Sequence, residues 1–290
     1  MTYSMLLSRR DFLRAAAAAS AAGLSRTLQA AGPRGRKPSI GLQLYAVRGE
    51  FARDVPGALQ TVARIGYQGV EFWGYGGEPK VFRDYAAEDL RKLLDKTGLK
   101  CCGMHLQLRA IQGDRLQRTV RVNQLLGNRR LIVAAAEAYM RSEKKIAELA
   151  ALLNETAARL RPRGMRIGYH AHPFDFRKIG DACAWELLFR QTRPEVMMQM
   201  DVGNCLAGGG DPIAMLKEFP GRTPTIHLKE HEEKTFDSPY YREVFRLCET
   251  ICGTRWYIVE MGGPGGNGFD VPRQAFRKLR ALGKTSASAR

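Results

Sequence analysis

Two hydrophobic rhythms take turns along this chain. Eight short apolar runs rich in β-branched, aromatic and sulfur residues read as strands, and after a loop each gives way to a stretch with apolar positions every three or four residues. The runs are Ile40 to Leu44, Gly69 to Trp73, Lys100 to His105, Arg130 to Ala134, Arg166 to His170, Met197 to Met200, Thr225 to Ile226 and Trp256 to Glu260. The helical stretches are Val55 to Ile65, Ala86 to Thr97, a segment within Asp114 to Leu126, Ser142 to Leu160, Asp181 to Gln191, Ile213 to Phe219, Pro239 to Ile251 and Val271 to Ala281. In the first of these, Ala58, Leu59, Val62 and Ile65 share one face. Gly66 and Gly98 stand where glycine ends a helix just before a strand. Eight strand–loop–helix units in about 250 residues have the size and rhythm of a (β/α)8 TIM barrel. A doubly wound sheet is the alternative, but no G-x-G-x-x-G follows the first run. The pattern predicts an α/β fold with one domain over 39–283 and a polar tail over 284–290.

The first thirty residues stand outside this rhythm. Ser8-Arg9-Arg10-Asp11-Phe12-Leu13-Arg14 precedes the Ala-rich stretch Ala15 to Gly23. Residues 1–30 therefore resemble a twin-arginine export signal. Arg14, Ser20 and the short apolar run argue against a stable membrane span. Residues 31–38 read as a linker. The signal implies a bacterial protein that is periplasmic or otherwise exported, with the twin-arginine export machinery as a partner. Such signals mark chains that fold, often with a cofactor loaded, before they cross.

The chain is strongly basic. The formal net charge is +17. Residues 1–30 hold four Arg and one Asp, which leaves +14 on the remainder. The cations are scattered over helices and form no block, so a basic solvated surface is expected and no nucleic-acid partner. The six cysteines (101, 102, 183, 205, 248, 252) include no C-x-x-C. Neighbours in a strand point to opposite faces and i, i+4 positions on a helix bridge poorly, so they are expected to be small apolar core residues.

The candidate chemistry lies where the runs end. Glu71 closes the second run, His105 the third and His170 the fifth, with His172 just beyond. Asp201 and Asn204 follow the sixth, His227, Lys229 and Glu230 the seventh, and Glu260 ends the eighth; Glu137 lies past the fourth. All five histidines (105, 170, 172, 227, 231) fall at or just past strand ends. The C-terminal strand ends of a parallel barrel share one ligand-binding face. Unpartnered buried charge costs several kcal/mol, so Asp201, His227 and Glu260 point to a shared divalent cation. Oxygen and nitrogen donors without thiolate suit Mn²⁺, Mg²⁺ or Co²⁺ and admit Zn²⁺. His231 and Glu232-Glu233 read as a solvated loop.

Residues 39–283 resemble the xylose isomerase-like TIM-barrel superfamily, the sugar phosphate isomerases/epimerases. The likeness is carried by Gly41-Leu42-Gln43-Leu44-Tyr45, Ile65-Gly66-Tyr67-Gln68-Gly69-Val70-Glu71, Tyr169-His170-Ala171-His172, Met200-Asp201-Val202-Gly203-Asn204 and Gly221-Arg222 with His227-Leu228-Lys229-Glu230. In epimerase-like members a Glu, Asp, His and Glu from strands five to eight hold the metal. The resemblance implies that Asp201, His227 and Glu260 fill three of these places. The first Glu is not conserved in kind here: His170 stands in its place, or Asp175 serves if the following loop folds back.

The implied activity is isomerisation or epimerisation of a sugar or keto-sugar through an enediolate. Glu260 would be base and metal ligand, His170 or His172 would move the second proton, and Lys229 would stabilise the developing oxyanion. Glu71, His105, His172 and Asn204 would orient hydroxyls, and Trp73 would stack on a sugar face. The His-for-Glu exchange also favours a lyase or dehydratase acting on a keto-sugar, keto-inositol or keto-glycoside. A non-catalytic sugar-binding barrel that kept the metal site is a third reading. Endonuclease-IV-like barrels need more ligands for a trinuclear zinc cluster than five histidines provide. A homo-oligomer is left open.

Overall fold

The computed structural model describes residues 37–285. The expected export signal over 1–30, the linker up to residue 36 and the tail beyond 285 lie outside the described residues. Eight strands run parallel: β1 (Ser39–Gln43), β2 (Gly69–Tyr75), β3 (Lys100–Leu106), β4 (Arg130–Val133), β5 (Arg166–His170), β6 (Met197–Gln199), β7 (Thr225–Leu228) and β8 (Trp256–Val259). From β1 to β6 and from β7 to β8 each strand pairs with the next in chain order, and β1 pairs with β8 from Ser39↔Trp256 to Leu42↔Val259. That pairing makes a nearly closed barrel and excludes an open doubly wound sheet.

The seam between β6 and β7 has no extended ladder. The Met198 N–H donates to the Arg222 carbonyl at 2.7 Å and the His227 N–H to the Met200 carbonyl at 2.8 Å. One bridge, Asp201 opposite His227, joins the two strands there. Below it, at the N-terminal end of the seam, Arg222 is buried without a carboxylate partner among the described residues. Its guanidinium donates to the carbonyls of Phe189 (2.7 Å), Arg193 (3.0 Å) and Val196 (3.0 Å) and to Thr192 Oγ1 (2.7 Å), and lies over the Phe189 ring. Burial pulls its pKa down to about 10, which still leaves it charged at neutral pH.

The helices cover the barrel and bury their apolar stripes against it. The expected helix Val55–Ile65 forms with those bounds, capped by the Asp54 carboxylate on the Gly57 N–H. It ends at Gly66, whose φ of 116° lies in the left-handed region, and the Phe276 ring fills the space that a Cβ would need. Ser142 caps Glu143–Leu160 by accepting from the Lys145 N–H.

Two segments differ from expectation. The helix placed at Asp181 begins at Ala184, because Lys178–Ile179 and Ala182–Cys183 first pair as a small antiparallel hairpin. Glu186 then holds the Cys183 N–H at 2.7 Å and fixes the helix start. After β6 a short helix covers Val202–Ala207, which the apolar periodicity does not predict. Asp201 starts it by accepting from the Asn204 N–H at 2.8 Å. All six cysteines are buried and unpaired. Among the described residues no helix is long and apolar enough to cross a membrane.

Candidate metal centre

The C-terminal strand ends gather the predicted residues in two tiers. The lower tier is a closed polar network around Glu71, which is fully buried. Its Oε2 accepts from Gln43 Nε2 (2.9 Å) and His227 Nε2 (2.6 Å), with His105 Nε2 at 3.1 Å, and its Oε1 accepts from Gln199 Nε2 (2.9 Å). Burial raises the Glu71 pKa, but His105 and His227 outweigh it and hold the carboxyl well below the usual range. Space for this carboxylate exists because residue 103 on the adjacent strand is glycine: a Cβ at Gly103 would meet Glu71 Oε1 at 2.0 Å.

The upper tier is open. One donor atom each from His170, Asp201, His227 and Glu260 lies within 4.8 Å of all the others. His227 Nδ1 stands 3.1 Å from Glu260 Oε2 and 3.9 Å from Asp201 Oδ2, and His170 Nε2 is 3.8 Å from Glu260 Oε2. Asp201 Oδ1 serves the Asn204 N–H, whereas Oδ2 is buried with no hydrogen-bond partner among the described residues. A buried carboxylate oxygen left without a donor is costly, and the converging nitrogen and oxygen donors are a set that a divalent cation satisfies. The residues therefore fit the metal that the sequence implies.

The electrostatics agree with that fit. Burial and the Glu260 charge push the Asp201 carboxyl up to about 7, only partly offset by His227 and Lys229. Burial acts against a charged His227, but Glu71 and Glu260 on its two sides raise it to about 10. Glu260, pushed up by burial, is pulled down to about 2 by His227, His105 and Lys229. Burial and the neighbouring His227 and His105 keep His170 neutral. Both nitrogens of His227 thus face carboxylates, Nε2 that of Glu71 and Nδ1 that of Glu260.

The remaining candidates fall around these tiers. His105 joins Glu71 in the lower tier, where its Nε2 also donates to Gln199 Oε1 at 2.7 Å. Both residues were expected to orient substrate hydroxyls, but Glu71 is enclosed by protein partners and orients His227 instead. Asp175 turns away from the four donors. It accepts from the Tyr169 hydroxyl (3.0 Å) and the His172 N–H (2.7 Å), which closes the loop after β5 and leaves His170 as the fourth donor. Burial raises its carboxyl to about 8.

His172 stands edge-on to His170 and stacks on Phe174, with a buried Nδ1 that has no partner. Lys229 Nζ donates to Asn204 Oδ1 at 3.1 Å, and Asn204 donates to the Ala171 carbonyl at 3.0 Å. Trp73 belongs to an aromatic cluster with Phe51, Phe82 and the exposed Tyr45 at the β1–β2 rim. Glu137 and Glu230 pair with Arg141 and Lys278 outside the group. Sequence reasoning missed Gln43, Gln199 and Thr225. A signal existed for Gln199, a polar residue inside an apolar run and two positions before Asp201, hence on the same strand face.

Compared with known proteins, residues 59–282 match the model of a family described as xylose isomerase-like TIM barrel. No curated protein matches the chain. Among solved structures, a sugar phosphate isomerase/epimerase from Parabacteroides distasonis superposes with a TM-score of 0.75 at 21% identity, covering 89% of this chain and 99% of that one. A 3-keto-D-glucoside 4-epimerase from E. coli gives 0.59 at 14% identity, covering 85% and 99%. A probable 3-DHS dehydratase from Bacillus anthracis gives 0.59 at 14%, covering 83% and 98%. At these identities the likeness to the solved structures is one of fold.

Proposed function

The chain belongs to the xylose isomerase-like TIM-barrel family, and on that premise we propose that it is a metal-dependent isomerase or epimerase of a sugar or keto-sugar. The observation that carries the reading is the convergence of the buried His170 and His227 and the partly exposed Glu260 on the buried Asp201, whose Oδ2 has no hydrogen-bond partner among the described residues. His170, Asp201, His227 and Glu260 would hold the ion. Two imidazole nitrogens disfavour Mg²⁺ and narrow the choice toward Mn²⁺, Co²⁺ or Zn²⁺. A bound ion supplies a Lewis acid for a substrate carbonyl and its neighbouring hydroxyl.

The chain's own groups then divide the proton transfer. Glu260 is ionised at neutral pH and is the member of the four open to solvent, with its side chain 16% exposed. It takes the proton from the carbon beside the carbonyl. Burial lowers the His172 pKa and the Glu260 charge opposes this, so it stands as a neutral base that can accept and return the second proton. Lys229, held by Asn204, stabilises the negative oxygen of the enediolate. Proton return to the neighbouring carbon isomerises; return to the opposite face of the same carbon epimerises.

A second reading is a lyase or dehydratase. It is favoured by His170, which leaves Glu260 without a second carboxylate facing it across the substrate carbon. Export of the mature chain to the periplasm, through residues 1–30, belongs to the same proposal and favours an unphosphorylated substrate.

Two measurements test the reading. Elemental analysis should find close to one divalent ion per chain, lost in His227→Ala and Glu260→Ala; equal metal content in all three proteins would refute it. Turnover in deuterated water should place solvent deuterium in an isomer or epimer. An eliminated fragment or lost water selects the lyase, and sugar binding with no C–H exchange selects a binding protein.

A further inference from the structure

We propose that Gln199 is a positioning residue that fixes the tautomer of His170, so that the Nε2 lone pair faces the metal site. This inference rests on the metal-centre reading for its purpose but not for its geometry. Gln199 is fully buried and lies on β6, two residues below Asp201. Its carboxamide makes four contacts. Nε2 reaches Glu71 Oε1 at 2.9 Å and Thr225 Oγ1 at 3.1 Å; Oε1 reaches His105 Nε2 at 2.7 Å and His170 Nδ1 at 3.1 Å.

The orientation of the amide follows from its neighbours. An ionised carboxylate only accepts hydrogen bonds, so the side of Gln199 that faces Glu71 must be the NH₂. The carbonyl oxygen therefore faces both imidazoles, and each nitrogen that approaches it must carry a proton. For His105 a second contact demands the same: its Nε2 also faces Glu71 Oε2 at 3.1 Å, another acceptor. Flipping the amide would set its oxygen against a carboxylate and its NH₂ against a nitrogen that already donates.

For His170 the consequence is specific. With the proton on Nδ1, a neutral ring must leave Nε2 bare, and Nε2 is the nitrogen on the side of Glu260. Glu71 does the parallel task for His227, taking the Nε2 proton and leaving Nδ1 to the site. Carboxylate or carbonyl acceptors behind metal-bound histidines are a general device for orienting the ring. Here the two acceptors are themselves hydrogen-bonded, so both histidines are set as one unit. A histidine can stand where epimerase-like barrels carry Glu because Gln199 gives it the right lone pair.

The test reads the tautomer directly. In metal-free protein with ¹⁵N-labelled histidine, the His170 ring should show a protonated Nδ1 and a bare Nε2. The opposite tautomer in the unsubstituted protein would overturn the proposal, and this result needs neither metal nor activity. Gln199→Met keeps the volume and removes the amide. It should lose the Nδ1–H preference of His170 and weaken Zn²⁺ or Co²⁺ binding by about 10- to 100-fold. Thr225→Val, which removes only a partner of the amide nitrogen, should leave the tautomer unchanged. Unchanged tautomer and affinity in a folded Gln199→Met would sink the idea. If that variant does not fold, the tautomer of the unsubstituted protein decides alone. Absence of bound metal beside the expected tautomer would defeat the proposed function and leave the role of Gln199 standing.

Discussion

The two ends of the β6–β7 seam both bury charge and treat it in opposite ways. At the N-terminal end, Arg222 has carbonyls of Phe189, Arg193 and Val196 and the Thr192 hydroxyl around its guanidinium. At the C-terminal end, Asp201 keeps an oxygen with no hydrogen-bond partner among the described residues, and His227 lies between the carboxylates of Glu71 and Glu260, which raise its pKa. The lower end is satisfied by the chain itself and works for stability. The upper end is satisfied only when something is added, which is how a barrel separates folding from chemistry on its two faces. A buried charge therefore signals a site only when its partners are incomplete.

The largest effect expected is at the lower end. Arg222→Ala strips the donors from the carbonyls of Phe189, Arg193 and Val196, all on the β6 side of the seam, and should cost about 3–5 kcal/mol. Denaturant unfolding measures this, and the folded fraction should keep its full metal content. A loss below about 1 kcal/mol would break the comparison, because the lower end would then not be holding the seam.

The next effect sharpens the distinction between the tiers. Gly103→Ala puts a methyl where the Glu71 carboxylate lies, without touching any metal donor. Glu71 must move and His227 loses its orienting acceptor, so metal affinity should fall by about 10- to 100-fold. Calorimetric titration reads this directly. Unaltered affinity would mean that the lower tier does not support the upper one.

The smallest effect concerns pH. The Asp201 pKa in the folded metal-free protein, about 7, lies above that of an unfolded Asp. Between those values the folded state binds the extra proton, so stability falls as pH rises from about 4 to about 7 and does not recover above. Asp201→Asn removes that loss. At pH 8 without metal it should be more stable than the parent by about 1 kcal/mol, a shift of about 2–4 °C in Tm. Saturating metal should reverse the order. Equal pH profiles for the two proteins would show that the unpartnered oxygen costs nothing.

The barrel was legible because its rhythm is local. Arg166–His170 and Val55–Ile65 form with the bounds expected from periodicity alone. The polar strand ends were legible for the same reason: His170, Asp201, His227 and Glu260 each close an apolar run, and parallel strands bring such ends together. What escaped depends on contacts between strands. Gln43 meets Glu71 on the adjacent strand, and Gln199 reaches Thr225 beside it and Glu71 across the barrel; no spacing within one strand announces that. Asp175 and the hairpin before Ala184 turn on loop geometry, where one carboxylate on one backbone N–H decides the path. Glu71 shows the limit most plainly. It was marked by its place at a strand end, yet Gly103 determines which way its carboxylate lies.

Asp201 and His227 face each other across the one bridge that joins β6 to β7. An ion shared by them would pin the wall of the barrel at its weakest course. It could leave quickly only when that wall parted, so its residence time would follow the opening rate of the fold rather than the strength of the individual bonds. On the proposed route, in which the chain folds before export, such slow exchange would carry a memory: the metal present at folding would be the metal that travels with it.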